Sequence, residues 1–253
     1  MLRRLAEDVV LALGFMTRLP VAGFAVRDER RLAEALWAMP LAGLLLGLLA
    51  AAVHLGATSI GLGGWVAAVL ALAALALASG GLHDDGLADF WDGIGGGHTR
   101  QRRLEIMRDS HVGSYGVLAL VITYVLLAGL LNSVAATAPA IDTAAVIITA
   151  TALSRSAVVV PMIVLRPARD DGLAHLFGQP TTTAMAVATV WPVAAALILG
   201  PPGALAIIIG CAAGAGAVTG LAARYLGGHT GDVFGAAIMT SFAGGLIGAN
   251  LVV

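Results

Sequence analysis

Charge is scarce in this chain. Of its 253 residues only 11% are Asp, Glu, Lys or Arg, and all 14 basic residues are arginine, so lysine is absent. That leaves too little polar surface to clothe a soluble globule of this length, and with a mean hydropathy of +0.93 the chain belongs in a bilayer. Cysteine is almost missing too: Cys211, alone and inside an apolar run, excludes an intramolecular disulfide and any paired-thiol redox motif. No Pro-, Ser- or charge-rich linker parts two folding units, so residues 1–253 are expected to form one membrane domain. A net charge of -1 leaves no electrostatic footprint for a nucleic-acid partner. Glu7 and Asp8 follow Arg3-Arg4 at once and no small-residue cleavage site closes an apolar region, so no removable signal is expected.

What the chain has instead is apolar runs. Crossing about 30 Å of hydrocarbon takes about 20 such residues. Runs of this kind cover roughly 36–56, 64–82, 116–138, 143–165, 182–200, 204–224 and, less sharply, 232–253. The expected fold class is all-α, a polytopic integral membrane protein with six or seven transmembrane helices. Residues 5–19 mix Leu5, Val9, Leu13 and Met16 with Glu7, Asp8 and Arg18, which predicts an N-terminal interfacial or re-entrant helix ended by Pro20. Glycines at four-residue spacing, Gly43 with Gly47, Gly210 with Gly214 and Gly216 with Gly220, suit close helix packing in lipid. The tetrapeptide Gly-Gly-His-Thr occurs at 96–99 and again at 227–230, but its flanks differ, which favours coincidence over duplication.

The arginines are one-sided. Arg3, Arg4, Arg18, Arg27, Arg30 and Arg31 precede the first run; Arg100, Arg102, Arg103 and Arg108 follow the second; Arg166 and Arg169 follow the fourth; Arg224 ends the sixth. The alternate connections near 57–63, 139–142 and 201–203 carry none, so the positive-inside rule puts the long 83–115 loop in the cytoplasm.

That loop holds Asp84, Asp85, Asp89, Asp92 and Asp109. Asp85, Asp89 and Asp92 are spaced i, i+4, i+7, which on a helix puts them within an arc of about 60°. Carboxylates gathered this way repel one another unless a hard divalent cation neutralises them, which points to Mg²⁺ and phosphate chemistry. Gly93 to Gly97 is expected to break that helix, and Arg102 to Ser110 to form a second with Glu105 and Asp109 at i, i+4. Arg100, Arg102 and Arg103 read best as topology signals, whereas Arg108 is a candidate phosphate ligand. Arg155, in Leu153-Ser154-Arg155, falls about 15 Å inside its span and needs a carboxylate or a wet cavity beside it. Thr230-Gly231-Asp232 opens the last span, where an anion or an N-cap both fit. The histidines at 83, 98, 111 and 229 lack the paired spacing of a zinc helix. The pattern loosely resembles the CDP-alcohol phosphotransferases, except that Asp89 stands where their arginine should.

A more specific likeness covers nearly the whole chain. Phe15-Met16-Thr17-Arg18-Leu19-Pro20-Val21, Gly80-Gly81-Leu82-His83, Asp85-Gly86-Leu87-Ala88-Asp89, Asp92-Gly93, Leu104-Glu105-Ile106-Met107-Arg108-Asp109-Ser110, Gly116, Leu153-Ser154-Arg155, Ala168-Arg169 with Gly172-Leu173, and Gly227-Gly228 with Thr230-Gly231-Asp232-Val233 occur in order. In these motifs the chain resembles the adenosylcobinamide-GDP ribazoletransferase family, also called cobalamin (5'-phosphate) synthases. The resemblance implies a Mg²⁺-dependent enzyme of the prokaryotic cytoplasmic membrane that joins adenosylcobinamide-GDP to α-ribazole, or its 5'-phosphate, and releases GMP. It implies Asp85 as central ligand or base with Asp232, a metal site of Asp85, Asp89, Asp92, Glu105 and Asp109, and substrate contacts from Arg18, Arg108, Ser154, Arg155, Arg169 and Thr230. Asp84 stands where the family usually carries an apolar residue, which leaves open which of Asp84 and Asp85 meets the metal. Oligomeric state is left open, and a secondary transporter with intramembrane Arg155 is the rival class.

Overall fold

The computed structural model describes residues 2–21, 30–169 and 180–252; Arg27, Gly172 and Leu173 lie outside them. Helix α1 (Leu2–Met16) lies against the start of α2 (Met39–Ser59), which a short helical lead-in from Arg30 extends. Then follow α3 (Gly64–Ser79), α4 (Leu82–Gly96), α5 (Arg100–Ile106), α6 (Ser114–Thr137), α7 (Ala140–Arg155), α8 (Val159–Val164), α9 (Thr182–Leu199), α10 (Ala204–Tyr225) and α11 (Gly231–Asn250). Among the described residues no strand forms, and extended backbone pairs only where Pro167 meets His229. The fold is all-α, as expected.

Five helical stretches among the described residues are long and apolar enough to cross a bilayer: Leu32–Ser59, α6, α7 continued through α8 to Val164, α10 and α11. The 64–82 run is not a straight crossing. It ends at Ser79, Gly80 and Gly81 take left-handed conformations (φ 68° and 71°), and α4 leaves at 92° to α3. Two consecutive residues at positive φ are cheap only for glycine, so this pair makes the corner. The 182–200 run forms α9, only 18 residues long and interrupted by Pro192. α11 is the hub: 78% of its apolar stretch is buried, against 22% for α6, whose outer face (Leu118, Ile122, Val125) is left for lipid.

Small residues hold the hub together. A Cβ on Gly47 would meet Ile148 Cα at 2.9 Å, and one on Gly43 would meet Thr151 O at 2.8 Å, so α2 and α7 touch backbone to backbone. Gly210 and Gly214 of α10 do the same against the Gly244 and Thr240 carbonyls of α11. Two of the three glycine pairs therefore pack as expected, but Gly216 and Gly220 face open space, because they lie on the far side of α10.

The 83–115 segment also departs from expectation. The 93–97 glycine stretch does end α4, but only at its far end: the helix runs through Gly93, Gly95 and Gly96 and is capped at Gly97, while α5 stops at Ile106. Asp109 therefore falls outside any helix, and Glu105 and Asp109 share no helical face.

A methyl added at Gly210 has backbone for a neighbour, so Gly210→Ala should lower stability in detergent by about 1–3 kcal/mol through overpacking. Gly216→Ala, with nothing near it, should be neutral or slightly stabilising. Equal shifts for the two in thermal unfolding would contradict this packing.

Candidate active site

The site begins where α4 crosses α11. A Cβ on Gly86 would sit 3.1 Å from Gly235 Cα and 3.2 Å from Asp232 Cα, and one on Gly235 would sit 3.0 Å from Gly86 Cα. That contact lays the stretch holding Asp85 and Asp89 against the first turn of α11, which holds Asp232. Asp85 is exposed, while Asp89 and Asp232 are half-buried. Burial, and then the charges of Asp85, Asp232 and Asp92, push the Asp89 carboxyl up to about 7, while Arg169 opposes the shift. Arg169 also acts on Asp232, so one guanidinium serves both carboxylates.

The remaining acids separate. Asp92 is 6% exposed and both its oxygens are committed: Gly113 N donates to Oδ2 at 2.7 Å and Gly116 N to Oδ1 at 2.8 Å. It therefore caps α6 from a neighbouring helix, and any side chain at Gly113 or Gly116 would collide with its carboxylate. Asp84, one residue and 100° round the helix from Asp85, accepts from Tyr124 Oη at 2.6 Å. It shares a cavity of about 20 Å³ with His83, Arg155, Ser79 and Tyr124. Asp85, not Asp84, thus belongs to the acidic group. Asp109 is exposed and held by His111, whose N and Nδ1 lie 3.0 and 2.7 Å from its Oδ1; this keeps its carboxyl below the usual carboxylate range. Glu105 lies with Gln101 and Arg102 and lines a separate cavity.

That cavity, about 350 Å³, is lined by Arg100, Gln101, Glu105, Arg108 and Arg169 among others. Arg169 donates to Leu104 O at 2.8 Å, fixing its loop to α5. Arg100 donates to Leu226 O (2.7 Å) and Ala168 O (2.8 Å), and the Arg103 guanidinium lies 4.9 Å over the Tyr225 ring. Arg100 and Arg103, read from sequence as topology signals, are therefore clamps onto the carbonyl end of α10, where a cation is favoured. Arg102 instead pairs with Glu105 on the surface.

The other candidates lie elsewhere. Arg155 is 4% exposed, at the point where α7 breaks into a 3₁₀ turn, and its Nη1 donates to Ser154 Oγ (2.8 Å) and Thr151 O (3.3 Å). Arg18 lies over Gly80 at the α3–α4 corner. Thr230 caps α11, accepting from Val233 N at 3.3 Å and donating to Asp232 at 3.1 Å. Thr99 caps α5 by accepting from Arg102 N at 3.2 Å, so each Gly-Gly-His-Thr tetrapeptide ends in the threonine that starts a helix. His229 stacks on Phe234 and burial pushes it down to about 4, so it is neutral near pH 7 and supplies no charge for a phosphate.

Among the described residues no three His, Cys, Asp or Glu side chains converge into a ready metal cage. Asp85, Asp89 and Asp232 nonetheless present hard oxygen donors whose mutual repulsion a cation would relieve. Such a set fits an ion held by a few carboxylates, water and ligand phosphates, which is how Mg²⁺ is usually bound.

The chain matches the family model described as Cobalamin-5-phosphate synthase over residues 8–250. Among curated proteins, the adenosylcobinamide-GDP ribazoletransferase of Bradyrhizobium diazoefficiens is 42% identical over 236 residues, 93% of this chain and 90% of that one. The protein of the same name from Azorhizobium caulinodans is 45% identical over 244 residues, 92% and 91% of the two chains. No solved structure matches.

Since two backbone N–H groups lose their acceptor, Asp92→Ala should destabilise the protein by about 1–3 kcal/mol. Asp109→Ala, whose carboxylate bonds only in its own exposed turn, should unfold as wild type does. Thermal unfolding in detergent checks both, and a stable Asp92→Ala would contradict the cap.

Proposed function

Because the chain belongs to the cobalamin-5-phosphate synthase family, we infer that it transfers α-ribazole, or its 5'-phosphate, onto adenosylcobinamide-GDP, releasing GMP and forming adenosylcobalamin or its 5'-phosphate. It does so as a multi-pass protein of the prokaryotic cytoplasmic membrane, with the arginine-bearing end and the site facing the cytoplasm. The observation that carries the residue assignment is the shared field of Asp85, Asp89 and Asp232, with Arg169 common to that group and to the arginine-lined cavity.

In the transfer, the ribazole 3'-hydroxyl oxygen forms a bond to the phosphorus that carries the aminopropanol arm. The bond from that phosphorus to the bridging oxygen breaks, and GMP leaves with the electron pair. Asp85, the most exposed of the three acids, takes the hydroxyl proton or stands as central metal ligand; Asp89 and Asp232 complete the donor set. Mg²⁺, when bound there, would offset the charge gathering on the departing phosphate. Arg169 and Arg108 hold phosphate oxygens. Arg155 is buried and shares a small cavity with Asp84, and it donates to Ser154, which supports a role for the pair in positioning α4 and not in gripping phosphate.

Purified protein in lipid, given Mg²⁺, adenosylcobinamide-GDP and α-ribazole, should release GMP and form a base-on corrinoid. Asp85→Ala and Asp232→Ala should each lower the rate at least about a hundredfold, and undiminished turnover from Asp85→Ala would remove it from the site. Asp89 must lose its proton to bind a cation. The Mg²⁺ concentration needed for half-maximal GMP release should therefore rise as pH falls through about 7, by up to about tenfold per unit below it. A requirement that stays flat between pH 6 and 8 would contradict Asp89 as a ligand.

A further inference from the structure

Glu105 is the anomaly of the arginine-lined cavity. Arg100, Arg108 and Arg169 make that space attractive to a polyanion, yet one carboxylate lines it with them. A carboxylate there repels phosphate and is ill placed to bind a metal ion among guanidinium groups. It suits a part of the ligand that is uncharged and rich in N–H donors. Its orientation is set: Gln101 Nε2 donates to Oε1 at 3.1 Å and Arg102 Nη1 to Oε2 at 3.3 Å. With 49% of the side chain still exposed, each oxygen keeps an unused lone pair.

We propose that Glu105 reads the guanine base of the nucleotide half of the substrate, by accepting hydrogen bonds from N1–H and the 2-amino group, while the arginines hold the phosphates. This rests on the transfer reaction proposed above, which supplies a guanosine diphosphate. The match is one of donor pattern. Guanine presents two adjacent donors to two adjacent acceptors; hypoxanthine lacks the amino donor; adenine offers an acceptor at N1, which the carboxylate repels. A cavity of about 350 Å³ lies within the range that small ligands occupy. The acid expected from sequence to be a metal ligand becomes the group that sets base specificity.

The test measures binding of GMP, IMP, AMP and XMP to the purified protein in nanodiscs by titration calorimetry, beside GMP release from adenosylcobinamide-GDP. Wild type should bind GMP roughly tenfold or more tighter than IMP, because one charge-assisted hydrogen bond is lost, and AMP more weakly still. Glu105→Gln offers an amide donor to the 2-oxo group of xanthine. It should lose at least about tenfold for GMP and gain affinity for XMP, a swap that a merely structural residue would not produce. The nucleotide ratios need only wild type should the variant fail to fold. GMP and IMP bound equally by wild type, or an unchanged GMP to XMP ratio in folded Glu105→Gln, would overturn the role of Glu105 while GMP release continued. Absence of GMP release from wild type would instead overturn the transfer reaction itself.

Discussion

The close crossing of α4 and α11 at Gly86 and Gly235 is the constraint on which the rest depends. Carboxylates on two separate helices share one field only if the helices approach to backbone contact, and lipid offers no hydrophobic force to push them together. Packing must do it, and residues without a Cβ let it happen. The left-handed Gly80-Gly81 corner comes first in the chain of causes, because without that turn of 92° α4 would continue along α3.

Once the acids are close they must be kept from scattering. Asp92 stakes α4 to the start of α6 through two backbone N–H groups, and Asp84 ties it to Tyr124 on the same helix, further along. On the opposite flank, Arg100, Arg103 and Arg169 bind α5, the end of α10 and the 165–169 segment through carbonyl oxygens and an aromatic face. The acidic group thus sits between two supports, with Arg169 linking the second of them to the acids. Asp89 is pushed up to about 7 first by its burial in that position and then by the neighbouring carboxylates.

Much of this was legible in the sequence, for physical reasons. Apolar length foretold the helices, arginine placement grouped the loops, and the i, i+4, i+7 spacing put Asp85 and Asp89 on one face. What was not legible depends on which neighbour a residue meets in space. Asp92 shares the helical face of Asp85 and Asp89, yet its oxygens are taken by glycines more than twenty residues downstream. Gly93 to Gly97 read as a helix break, but close neighbours keep most of it helical: Met107 and the Arg103 carbonyl crowd Gly93, and the Tyr115 ring crowds Gly95. Arg100 and Arg103 looked like topology signals because an arginine's partner is a carbonyl, which has no signature in sequence. The recurrence of Gly-Gly-His-Thr has a local meaning, since each copy ends in a threonine that caps a helix.

The central claim is that Asp85, Asp89 and Asp232 form one cation site together with substrate phosphates, and that Asp109 stands outside it. Electron paramagnetic resonance of Mn²⁺ added in place of Mg²⁺, with adenosylcobinamide-GDP present, tests it most directly. The bound-manganese signal should saturate in wild type and in Asp109→Asn, and should be lost in both Asp89→Asn and Asp232→Asn. A signal that survives in Asp232→Asn, or vanishes in Asp109→Asn, would contradict the account.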